Sequence, residues 1–148
     1  MHGVIWILLA AGAGCCIALQ AAANASFRGN LGDARYAAFF SICGTILTAS
    51  LFMLVVRPPF PAAVAVRGAP WWNWIGGPLG ALIVLAGATL APRLGAAAFI
   101  AAVVGGQLAC SVLLDHFGLM NLPRQPLTAV RLLGVLLVFA GMLLVKFR

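Results

Sequence analysis

Gln107, Ser111 and Asp115 recur at i, i+4 and i+8, which sets an amide, a hydroxyl and a carboxylate on one stripe of a helix. Asp115 is one of only 2 acids in the chain, and His116 stands beside it. Hydrocarbon offers such groups no hydrogen-bond partner, so a stripe of this kind must face protein or a water-filled cavity. It reads as one wall of a pathway through a membrane. Gln107 and Ser111 would offer neutral hydrogen bonds to a substrate, and Asp115 with His116 would act as a gate or proton-coupling site. A second role for the acidic end stays open, as a helix cap and ion pair with Arg124. Gln20 and Asn24, four apart, form a smaller set that either lines the cavity or bonds neighbouring helices. Ser41 is expected at the same end of the membrane and completes the candidate substrate-binding set.

Other chemistry finds little support. No nucleophile, base and orienting group recur at usable spacing, and 2 histidines with 2 acids make no plausible metal set. No enzyme activity, cofactor or metal is expected. Cys15, Cys16, Cys43 and Cys110 lie inside apolar runs without a C-x-x-C, as small core residues do.

The elements that must position these groups follow from composition. The chain is 64% hydrophobic and 7% charged, whereas soluble domains average about 25% charged. Charge-free runs cover residues 3–27, 36–56, 68–92 and 94–114, with a fifth at 132–145. Four of them reach the roughly 20 residues that cross a bilayer, and the fifth does so if it starts near Leu127 and lets Arg131 snorkel to the interface. The expected architecture is an all-α integral membrane protein, a single five-helix domain over residues 1–148. Its helices fall at about 4–26, 36–56, 74–91, 95–115 and 127–145. Ala21-Ala22-Ala23 has the look of a leader cleavage site, but no Lys or Arg precedes the apolar run, so the first run is read as a retained helix.

The connections carry their own signals. Residues 28–35 form a short turn with Asp33 between two arginines, expected to make a solvated ion pair. Ala37, Ser41, Thr45 and Ala49 make a small-residue stripe suited to close helix packing. Pro58, Pro59, Pro61 and Pro70 preclude regular structure in the longest loop, and Trp71, Trp72 and Trp74 form an interfacial aromatic belt. Gly76, Gly77 and Pro78 mark either a late helix start or a kink, and so a candidate hinge. The last helix has no polar residue between Arg131 and Lys146, as expected for lipid or subunit contact.

The net charge of +7 comes from single cations at helix ends, the placement of membrane anchors and not of a nucleic-acid patch. Arg57, Arg67, Arg124 and Arg131 fall on one side, against Arg28, Arg35, Arg93, Lys146 and Arg148 on the other. So even a balance does not fix orientation. Both insertions are expected, giving an antiparallel, dual-topology homodimer equivalent to an inverted-repeat transporter.

With these residues in view, the sequence resembles the YdcZ-like inner-membrane family of the drug/metabolite transporter superfamily. The matching features are Gln20 with Asn24, Ser41 with Gly44, Pro70-Trp71-Trp72-x-Trp74-x-Gly76-Gly77, Gly106-Gln107 and Asp115-His116-Phe117-Gly118. The resemblance implies five helices per unit, multi-pass insertion in the bacterial cytoplasmic membrane, and opposed units. By superfamily analogy it implies small-molecule transport by alternating access. The related small multidrug resistance proteins carry a membrane-embedded Glu in their first helix, and this chain has no Glu at all. That departure turns the expectation away from proton-coupled export of hydrophobic cations and toward a neutral or zwitterionic substrate. The expected partners are the lipid bilayer, a small-molecule substrate, and a second copy of the chain or a paralogous five-helix protein. The competing reading is a non-transporting membrane subunit that packs with and stabilises a partner.

Overall fold

The computed structural model describes residues 2–147 and is almost entirely helical. Five helices are long and apolar enough to cross a membrane. They are α1 (His2–Leu31), α2 (Ala34–Val56), α4 (Gly76–Leu94), α5 (Ala96–Phe117) and α6 (Ala129–Phe147); a short helix, α3 (Ala63–Arg67), lies between α2 and α4.

Helix ends follow local chemistry. α1 runs past the expected Ser26 through Arg28, Gly29 and Asn30 and stops at Gly32. That glycine sits at φ 74°, and its N–H closes on the Arg28 carbonyl at 2.8 Å. Asp33 then caps α2, its carboxylate accepting from the Arg35 N–H at 2.8 Å. The expected eight-residue turn therefore contracts to Gly32 and Asp33, which forces α1 and α2 into an antiparallel hairpin. α2 stops before Pro58 and Pro59, and Arg57 takes the left-handed cap position at φ 48°.

Pro78 falls in the first turn of α4, after a 3₁₀ turn at Trp71–Trp74. Its missing N–H costs nothing there. Of the two readings open for Gly76, Gly77 and Pro78, the observed geometry is the late helix start. At the other end α4 continues through Pro92 to Leu94, and Gly95 at φ 83° separates it from α5.

The chain divides into two compact units, Met1–Thr89 and Leu90–Arg148. In the first, α1 packs on α2. The buried residues of that pair are Ala21, Asn24, Ala37 and Ala38, and the Phe27 and Phe40 rings meet at 5.9 Å. The Arg28 guanidinium donates to the Thr89 carbonyl at 3.4 Å. In the second unit α5 packs on α6. Gly105 is buried there, and a Cβ on it would lie 3.5 Å from the Phe139 ring and 3.6 Å from the Met142 sulfur. No large side chain is fully buried among the described residues. Small residues make the helix contacts, as expected where lipid and protein are equally apolar and only close packing favours association.

Candidate functional site

The polar residues singled out in the sequence occupy both units. On α1, Gln20 is exposed, and Asn24, one turn on, is 6% exposed. Ser41 on α2 is half-buried and opens a groove of about 660 Å³ along the small-residue face, shared with Gly44, Thr45, Thr48, Ala49 and Phe52. Thr45 donates its hydroxyl to the Ser41 carbonyl at 3.1 Å, and Thr48 donates to Gly44 at 2.9 Å. Those two hydroxyl protons are spent within the helix, which leaves a face of low polarity.

On α5, Gln107 and Ser111 are exposed, and Asp115 and His116 are half-buried near the C-terminal end. Asp115 is ion-paired: the Arg131 Nη2 donates to its Oδ2 at 2.5 Å, with the side chains 31% and 28% exposed for Arg131 and Asp115. From the sequence, an ion pair of Asp115 with Arg124 stays open as one alternative, and Arg131 is expected at the interface. The structure exchanges them. Arg124 donates through Nε to the His116 carbonyl at 3.1 Å, while Arg131 also reaches the Gln125 carbonyl at 3.0 Å through Nη1. The physical reason is charge: two opposite ions on neighbouring apolar helices lower each other's desolvation cost, and Arg124 in the loop has no such need.

The same region satisfies the carbonyls that the end of α5 leaves open. Gly118, at φ 63°, donates its N–H to the Asp115 carbonyl at 3.3 Å, and the Gln125 N–H reaches that carbonyl at 2.8 Å. The His116 Nδ1 accepts the Leu127 N–H at 3.0 Å, a bond that requires an unprotonated Nδ1. Residues 118–128 are thereby tied to the end of α5 and to the first turn of α6. The arrangement can hold a carboxylate and a guanidinium as a neutral pair beside the loop.

Two features of this region have no counterpart in the sequence reading, the Asp115–Arg131 pair and the close approach at Gly105. The signal for the first was available: one acid and one cation at the facing ends of two successive apolar runs can serve as each other's partner. Gly76, Gly77 and Pro78 are exposed at the start of α4. No cluster of metal-ligating side chains occurs among the described residues, and all four cysteines are free thiols.

A family model described as "Putative inner membrane exporter, YdcZ" matches residues 5–144. No curated protein and no solved structure matches the chain.

Proposed function

The chain belongs to the YdcZ family of inner-membrane exporters, and from that membership we propose that it moves a small molecule across the inner membrane by alternating access in an antiparallel pair of copies. The supporting observation is that Gln20, Gln107 and Ser111 lie exposed on helices of membrane-crossing length. Lipid cannot satisfy an amide, and each one left bare in hydrocarbon costs about 4–8 kcal/mol. These side chains therefore need water, a substrate or a second polypeptide, and a solvated gap shared by two oppositely inserted copies supplies all three. In this reading Gln20, Asn24, Ser41, Gln107 and Ser111 hold the substrate through neutral hydrogen bonds. Asp115 and His116 serve as gate, with the Arg131 pair as the closed state and protonation or pair opening as the release. The turn at Gly76, Gly77 and Pro78 serves as hinge.

The test is transport by purified protein in proteoliposomes, screened against a broad set of neutral and zwitterionic metabolites. A Gln107→Leu and Asn24→Leu double variant should stay folded and lose most of its flux. If wild type moves no solute and the variant is indistinguishable from it, the transport reading fails and the exposed amides belong to a subunit interface.

A further inference from the structure

We propose that the end of α2 holds a bilayer phospholipid with an anionic headgroup. A groove of about 850 Å³ runs from Ile46 past Ala49, Met53 and Leu54 to Arg57 and Phe60. From Ile46 to Arg57 the helix rises about 16 Å at 1.5 Å per residue. One leaflet of hydrocarbon is about 15 Å deep, half of a 30 Å core. The groove thus has the length of one acyl chain lying along the membrane normal, and apart from Ser50 its walls are apolar up to the mouth.

The mouth is built around a cation. Arg57 occupies the left-handed cap position at φ 48°, which glycine usually fills, and its Nε donates back to the Leu54 carbonyl at 3.2 Å. That bond fixes the guanidinium over the end of the groove and leaves both terminal nitrogens without a partner among the described residues. Two parallel N–H groups suit a phosphate. Phe60, 99% exposed, follows the two prolines at the same mouth, where an aromatic ring meets headgroup and acyl chain together.

Charge decides between a lipid and another copy of the chain as occupant. Both aspartates are committed, Asp33 to Arg35 and Asp115 to Arg131. No aspartate of a second copy is free to meet Arg57, whereas an anionic lipid brings its phosphate to the depth where the guanidinium sits.

Native mass spectrometry tests this on full-length protein released from vesicles of equal phosphatidylglycerol and phosphatidylcholine. Wild type should retain phosphatidylglycerol in preference to phosphatidylcholine, and Arg57→Gln should retain about five-fold less of it. Ala49→Leu, which fills the groove and leaves the charge, should lower phosphatidylglycerol retention as well. Equal phosphatidylglycerol on wild type and Arg57→Gln overturns the proposal. So does an Ala49→Leu protein that loses its dimer while keeping its lipid, because the groove would then be a chain-to-chain surface.

Discussion

Asp115 and Asp33 are the only acids in the chain, and their surroundings give them opposite demands. Asp115 is half-buried in a helix of membrane-crossing length, so removing its charge leaves Arg131 unpaired where water is scarce. Asp115→Asn is expected to cost about 1–3 kcal/mol, less than a fully buried pair because both side chains remain partly exposed. Pairing it with Arg131→Gln should recover part of the loss, a coupling that a double-mutant cycle in detergent thermal unfolding would read. Asp33 lies in the turn between α1 and α2. The Arg35 guanidinium, with Nη2 to Oδ2 at 2.6 Å, holds its carboxyl below the ordinary value near 3.8. A carboxyl lowered on folding contributes stability that is complete above its unfolded value and fades as pH falls through the folded one. The stability gap between wild type and Asp33→Asn should therefore be flat from neutral pH to about pH 4 and close below it. Asp33→Ala should be less stable than Asp33→Asn at every pH, since asparagine still caps α2. The sequence made both aspartates conspicuous, but it could not assign Arg131 over Arg124. That choice depends on the rotation of α6 about its axis, and Arg131 stands near a helix start that composition alone places only loosely.

Four of the spanning helices were legible because each coincides with an apolar run too long for a soluble core, and the fifth once its run is extended back past Arg131. Their ends were not, since the chain continues as helix through residues usually found in turns until a left-handed residue stops it. Arg28, Gly29 and Asn30 belong to α1 for that reason, and Pro92 and Arg93 belong to α4. The helix contacts were legible only as a tendency toward small residues. Which glycine makes a close approach depends on a ring contributed from another helix, as Phe139 does at Gly105. There a Cβ falls at ordinary contact distance, so Gly105→Ala should be nearly neutral. Gly105→Leu should push α5 from α6 and cost about 1–3 kcal/mol, measurable as a fall in unfolding temperature.

At the scale of the molecule, family membership and five spanning helices make this a multi-pass protein of the inner membrane. The proposed antiparallel pairing rests on the near-even division of its nine cations, four against five. Adding two lysines to the loop after α2 should bias insertion one way, as C-terminal reporter fusions would register. Transport by that variant should fall and return when it is co-expressed with one biased the other way. The pairing of Asp115 with Arg131 also bears on biogenesis. α5 leaves the ribosome carrying an acid whose counter-ion is sixteen residues behind it. A nascent chain arrested before Arg131 emerges should keep α5 beside the insertion machinery, and lateral release into lipid should await the arginine.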